Sequence, residues 1–250
     1  MIFWALILFF ISQAFGVDPL PAEGNKQSKV YILDVPPLMK APEGTGIVGD
    51  VVLEAFKRTG IHPQLIVVPI PRALSMPKKV DDVFVAPLAR ISERENEYTW
   101  VVPIVTVKRA FFTLSKKINT FESAMKNLKI IAVSRDTASH RLLIEKGFPK
   151  DRMLLVSSDA VEARLLKVGR VDAFFDAIPE GLKALIDWPP SAFRVGHPLA
   201  VTQQFLACSK KCNPQTVAAL KKTISQMRRD GTIKRIQMRY PEFTSQSFAF

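Results

Sequence analysis

Short apolar runs rich in Val, Ile and Phe alternate with amphipathic or capped segments along almost the whole chain. That alternation is the strongest constraint on the fold, because strands separated by helix-length segments assemble into parallel α/β units. Lys29 to Leu33 reads as a first strand, followed by a loop rich in Pro and Gly from Asp34 to Gly46. Ile47 to Arg58 is amphipathic, with Gly60 where a helix C-cap belongs. Gln64 to Val68 reads as a second strand, and Pro71 opens a helix through Leu74, a first-turn use of proline.

The stretch from Asp81 to Ile104, DDVFVAPLARISERENEYTWVVPI, completes this βαβαβ half and carries its chemistry. Val83 to Ala86 reads as a buried strand that empties into a polar loop, Pro87 to Ile91. Ser92-Glu93-Arg94-Glu95 has the spacing of a capping box, so the pattern predicts a helical turn beginning at Ser92. Arg94 then lies just past a helix N-terminus at the carboxyl end of a strand, where open α/β sheets bind ligands. A guanidinium there suits a small carboxylate, to which it can donate two parallel hydrogen bonds. The alternative is an exposed Arg94 paired with Glu93 or Glu97.

After an extended run, Val105 to Leu114, a second alternating half follows. Its strands are Lys129 to Val133, Met153 to Val156 and Val171 to Phe175. Its helices begin at Thr137 and end near Gly147, begin at Asp159 and end at Gly169, and run from Pro179 to Ile186. A second extended run, Leu199 to Ala207, returns toward the first half. Asn213-Pro214 opens a last helix, which Asp230-Gly231 interrupts and Thr232 to Tyr240 resumes. The expectation is an α/β chain of two lobes with a cleft between them: residues 28–106 plus 206–250 in lobe 1, and 107–205 in lobe 2.

Residues 1–16 carry no charged side chain and are apolar through the middle, too short to span a bilayer but suited to a secretory signal peptide. Cleavage after Gly16 is expected, with an uncleaved N-terminal anchor as the alternative. The remaining roughly 230 residues suffice for one large domain or two lobes. The formal net charge of +12 is spread along the chain and forms no basic block interleaved with aromatics, so nucleic acid is not an expected partner. In an oxidising compartment Cys208 and Cys212 are expected to form a local disulfide. A metal site is the rival reading, but His62, His140 and His197 are widely scattered. No cofactor is implied.

The ordered set Gly49-Asp50, Pro71-Arg72-Ala73-Leu74, Ala86-Pro87-Leu88-Ala89-Arg90, Ser92 to Glu95 and Trp100-Val101-Val102-Pro103 resembles the family-3 bacterial extracellular solute-binding proteins. Gly169 to Phe174 and Asp230-Gly231-Thr232 with Tyr240 match the same family, so the resemblance covers Ser28 to Tyr240. It implies a two-lobed periplasmic-binding fold that captures a polar amino acid or related solute for an ABC transporter. It also implies a periplasmic monomer whose partner is a permease or a membrane receptor. By the same resemblance Arg94 clamps the ligand carboxylate, Thr137 meets it from the other lobe, and Asp176 is the candidate for the ligand amine, one residue early in the pattern. Ala86 stands where such proteins often carry a serine, and the aromatic that often follows the first strand is missing from Asp34 to Leu38.

Arg72 and Arg90 follow strands on the same side as Arg94, so together they would suit an anionic or multi-carboxylate ligand. Alternatively, they pair with Asp50, Glu54 or Glu95. Tyr98 and Trp100 read as core or rim, with ligand stacking as the alternative, Phe111 and Phe112 as core, and Phe174 and Phe175 divide between core and cleft wall. No nucleophile with a base, paired catalytic carboxylates or metal cluster marks an enzyme. The same architecture hosts cyclohexadienyl dehydratases, for which Asp176 or Asp34 could supply the general acid. A partner protein that presents ligand to a membrane receptor is the third reading.

Overall fold

The computed structural model describes residues 27–241 and 248–249; the expected signal peptide and its cleavage site lie outside the described residues. The strands form one mixed sheet in the order β2-β1-β3-β9-β4-β7-β5-β6. Parallel β1 (Gln27–Ile32), β2 (His62–Val67) and β3 (Val83–Ala89) make one end. Parallel β5 (Ile131–Ser134), β6 (Met153–Val156) and β7 (Ala173–Ala177) make the other.

Two long antiparallel strands, β4 (Tyr98–Thr113) and β9 (Ala200–Ser209), join the ends. They are the two extended crossings seen in the sequence, paired with each other from Tyr98↔Ser209 to Arg109↔Ala200. β9 continues on to β3, and β4 on to β7. β4 starts earlier than the sequence suggests, at Tyr98, because its β-branched and aromatic residues favour a pleated ladder. Pro103 is accommodated where the register shifts. β8 (Arg194–Val195) and β10 (Phe248–Ala249) also pair with β4.

Each end has a core on both faces of the sheet. α1 (Ile47–Thr59), α7 (Pro214–Arg229) and α8 (Thr232–Gln237) cover one face of the first lobe, burying Val30, Phe56, Phe84, Ile224 and Met227. α2 (Ile70–Ser75) covers the other, over Tyr31, Val85 and Tyr98. In the second lobe Phe111 and Phe175 lie in one core with the helix pair α3 (Phe121–Asn127) and α4 (Ala138–Glu145). Phe112 and Phe174 lie in the other, stacked at 4.5 Å between ring centres, beneath α5 (Asp159–Lys167) and α6 (Ile178–Ala184). All four phenylalanines are therefore core, by strand alternation.

Motif residues far apart in the chain meet in space. A side chain at Gly49 would put its Cβ 2.0 Å from the carbonyl oxygen of Gly44, so glycine is required where α1 packs on the preceding loop. The next residue, Asp50, accepts from the Gly46 N–H at 3.2 Å and from the Tyr240 hydroxyl at 2.9 Å, tying the C-terminal segment to that loop. Asp230 accepts from Arg58 at 2.8 Å and from the Thr232 N–H at 2.9 Å. Cys208 and Cys212 form the expected disulfide, joining the end of β9 to the turn before α7. His62, His140 and His197 belong to separate parts of the fold: β2, α4 and the segment after β8.

Candidate functional site

The loops after β1 and β3 meet the N-terminal ends of α4 and α5 across the cleft, enclosing about 60 Å³ of water-accessible space. One water needs only about 10–15 Å³, so the cavity has room for more than a single water. Leu33, Val35, Leu38, Ile70, Leu74 and Leu88 give its first-lobe wall an aliphatic surface. The polar lining is Arg94, Arg109, Thr137, Asp159, Asp176, Glu180 and Gln204. An outer chamber lined by Asp34, Arg135, Ser157 and Ser158 adjoins it, sharing Val35, Ile70 and Asp159.

Arg94 ends a 3-10 turn, Ser92–Arg94, rather than opening a capped helix. The residue before the turn is Ile91, with no side-chain cap, so the expected capping box does not form. The turn buries Arg94 to 7% exposure, which excludes the exposed-pair alternative. Its guanidinium donates to the carbonyl of Ala89 at 3.3 Å and, across the cleft, to the carbonyl of Asp136 at 2.7 Å. Burial pulls its pKa down. Asp136 has a left-handed φ of 61°, and its N–H donates to His140 Nδ1 at 3.2 Å. Thr137 is the N-cap of α4: its hydroxyl donates to the Ser134 carbonyl at 2.7 Å and accepts from the His140 N–H at 3.3 Å. Outside the cavity, Arg141 approaches Glu93 at 3.4 Å, a second contact across the cleft.

Arg109 enters from the crossing strand β4 and is 3% exposed. It donates to Ser139 Oγ at 2.7 Å and to Thr202 Oγ1 at 3.3 Å, and its Nη1 lies 3.5 Å from Asp176 Oδ1. That same oxygen accepts from Ser139 at 2.9 Å and from the Ala177 N–H at 2.8 Å, whereas Asp176 Oδ2 has no partner. Asp176 lies in β7 itself, not after it.

Three further carboxyls crowd around this pair. Glu180 comes from α6 with Oε2 unpartnered, Glu162 from α5 with both oxygens unpartnered, and Asp159 accepts from Ser134 at 3.3 Å. Ligand atoms of Asp159, Glu162 and Asp176 all fall within 4.8 Å of one another.

Burial disfavours the charged form of each acid, and neighbouring carboxylates add to it at Asp159, Glu162 and Glu180. Glu180 is pushed up to about 8 by burial and by the charge of Asp176, with Arg109 opposing. Burial also raises Asp159 and Glu162 well above the usual carboxylate range. Asp176 is raised by burial too, against the pull of Arg109, the Ala177 N–H and Ser139. The lining as a whole can therefore hold both ends of a bipolar solute, with guanidinium donors for an anion and carboxyl oxygens for a cation.

Arg94, Thr137 and Asp176 thus come together from three separate stretches of sequence. Arg72 and Arg90 do not join them. Arg72 is exposed on α2. Arg90 forms an ion pair with Glu95 and lies 5.5 Å from the Trp100 ring and 5.4 Å from the Phe205 ring. The multi-cation cleft expected from Arg72, Arg90 and Arg94 is corrected accordingly: acids outnumber bases in the cavity. Trp100 packs on Tyr98 and Phe205 away from it. Asp34 is exposed in the outer chamber, accepting from the Ala41 N–H at 2.9 Å.

Sequence reasoning missed Arg109, Glu162 and Glu180 and read Asp159 as a helix cap; the observed cap position is Ser158. For Arg109 the available signal was a charged residue inside an apolar run, VTVKRAFF.

Residues 32–243 match the family model for bacterial extracellular solute-binding proteins, family 3, and the chain belongs to that family. No curated protein matches it. Several solved structures share the fold. A histidine kinase sensor domain with similarity to periplasmic binding proteins has a TM-score of 0.77 at 19% identity, covering 86% of this chain and 96% of its own. The GluR0 ligand-binding core from Nostoc punctiforme in complex with L-glutamate has a TM-score of 0.72 at 17% identity, covering 84% and 96%. AncCDT-1, an ancestral amino acid-binding protein and precursor of cyclohexadienyl dehydratase, has a TM-score of 0.73 at 18% identity, covering 85% and 94%.

Proposed function

We propose that this protein captures a small carboxylate-bearing amine, an amino acid or close relative, in the periplasm and delivers it to an ABC transporter. The observation that carries this reading is a single cavity lined by Arg94 and Arg109 together with unpartnered carboxyl oxygens of Asp176 and Glu180. Arg94 anchors the carboxylate by exchanging its carbonyl partners for the ligand, assisted by Thr137, and Asp176 takes the amine. Residues 28–106 with 206–250 close against 107–205 by bending across β4 and β9, since among the described residues only these two strands run between the ends of the sheet. The leucine-rich wall excludes water, which strengthens every charged contact inside.

A thermal-shift screen of the full chain against amino acids, polyamines, dicarboxylates and short peptides tests this, because a native-state ligand raises the melting point by mass action. One class should stabilise the protein, with a single site by calorimetry; silence across the panel contradicts the reading.

A second reading, a dehydratase on the same fold, has one observation in its favour. A carboxyl held at about 8, as Glu180 is, stays protonated at neutral pH and can donate a proton. Turnover of a cyclohexadienyl substrate by wild type but not by Glu180→Gln would establish it. The sensor reading draws on the fold shared with a kinase sensor domain, and capture of a membrane receptor in the presence of ligand would support it.

A further inference from the structure

The first-lobe wall of the cavity is aliphatic apart from Arg94, whereas the second-lobe side presents acids from three elements: Asp159 on α5, Asp176 on β7 and Glu180 on α6, with Glu162 of α5 buried beside Asp159 and Asp176. Ser134 of β5 donates to Asp159 and Ser139 of α4 to Asp176, while Arg109 of β4 stands beside Asp176 and donates to Ser139 and to Thr202 of β9.

The charges within this enclosure do not balance. Arg109 compensates Asp176, and a ligand carboxylate would compensate Arg94. Asp159 and Glu180 then remain in the lining, with Glu162 buried next to Asp159, and there is no further cation among the described cavity-lining side chains. A single ligand amine, held at Asp176, adds only one positive charge to the group. Buried carboxyl oxygens without partners are costly, so the surplus has to be met by protons or by more positive charge on the ligand. Asp176 Oδ2 and Glu180 Oε2 are the unpartnered atoms that belong to the lining.

Resting on the amino-acid reading above, we propose that the acids of α5, β7 and α6 form a second amine receptor, so that the cleft selects a basic amino acid over neutral and acidic ones. The second amine sits between Asp159 and Glu180, and an acidic ligand is rejected because its extra carboxylate would meet the same acids. A dication entering this cluster favours ionised carboxyls, so capture at neutral pH discharges protons to solvent. A divalent metal is the weaker occupant on this geometry, because the Arg109 guanidinium already stands 3.5 Å from the central carboxylate.

The test is calorimetry on the full chain at pH 7 in two buffers of different ionisation enthalpy. Lysine is compared with norleucine, which has the same chain without the amine, and with glutamate, putrescine and magnesium chloride. Lysine should bind about tenfold or more tighter than norleucine, as expected for one charge-assisted contact in a buried site, with proton release and with glutamate weakest. Glu180→Gln, isosteric and free of a buried ionisable group, should fold normally. It should shrink the lysine preference about tenfold and cut the proton release.

Norleucine or glutamate binding as tightly as lysine at one site would overturn the amine receptor and leave the amino-acid reading standing. Putrescine binding as tightly as lysine supports the receptor and removes the carboxylate anchor instead. Magnesium binding without any response to amines overturns it in favour of a metal site. No binding by any probe overturns both readings.

Discussion

The two lobes handle charge in opposite ways. On the first lobe, Arg58, Arg90 and Arg239 are at the surface, paired with Glu54 and Asp230, with Glu95, and with Asp50. Exposed pairs of this kind add little to stability, because water screens them and ordering two long side chains costs entropy. On the second lobe four carboxyls are packed behind the cleft around one guanidinium, with five of the group's polar atoms left unpartnered: Arg109 Nε, both Glu162 oxygens, Asp176 Oδ2 and Glu180 Oε2. The first arrangement is ordinary surface chemistry. The second is unfavourable for folding alone, and such groups cluster where a protein binds or reacts. The first lobe thus contributes shape, dryness and Arg94, and the second contributes the electrostatics.

Breaking the second arrangement should have the largest effect. Arg109→Met strips the acid cluster of its cation and should cost about 3–5 kcal/mol at pH 8, as loss of one partner from a buried pair does. Equilibrium unfolding in urea measures it. The deficit should shrink as pH falls, because burial favours the protonated form of each acid, and a protonated acid no longer needs the guanidinium. A deficit independent of pH would mean that Arg109 acts by packing alone.

The wild-type protein should carry a milder version of the same dependence. Glu180 has a folded-state pKa of about 8, above its unfolded value, so the folded state holds the extra proton between them. Stability attributable to Glu180 is therefore fully present below about pH 4 and is lost as pH rises toward 8. Across that window the loss is at most about 1.4 kcal/mol for each step of one pH unit. Asp159 and Glu162, also raised, slope the same way. Glu180→Gln should flatten this slope and be more stable than wild type at pH 9, read from melting temperatures across that range.

The smallest effect belongs to the surface contact across the cleft. Glu93→Ala removes the half-exposed partner of Arg141 and should change unfolding free energy by less than about 1 kcal/mol. If that contact helps hold the lobes together, small-angle scattering should show a more extended ligand-free particle. A loss well beyond 1 kcal/mol would show that this pair, unlike those of the first lobe, contributes to the fold.

What the sequence disclosed divides along the same line. The strands and helices were legible almost throughout, because each is a local pattern of apolar spacing, Pro and Gly. Even so, β4 starts seven residues before the expected Val105, at Tyr98, because periodicity alone could not separate its first half from the preceding turn. Arg94, Thr137 and Asp176 were legible through their positions in an ordered set of motifs. Arg72 and Arg90 were named on the rule that residues following parallel strands face the ligand. The short α2 turns Arg72 to solvent, and Arg90 finds Glu95, Trp100 and Phe205 first. The acid cluster was illegible for the converse reason. Asp159, Glu162, Asp176 and Glu180 are spread over three elements, and only the parallel pairing of β5 with β7 and the packing of α5 on α6 bring them together.

The central claim is that Arg94 holds the carboxylate of an amine-bearing solute between the lobes. Its most direct test is calorimetric titration of the best amino-acid ligand into wild type and Arg94→Ala, with circular dichroism to establish that both are folded. Losing two charge-assisted hydrogen bonds should weaken binding by roughly a hundredfold or more in the variant while its fold is kept. Equal affinity in the two proteins would contradict the account.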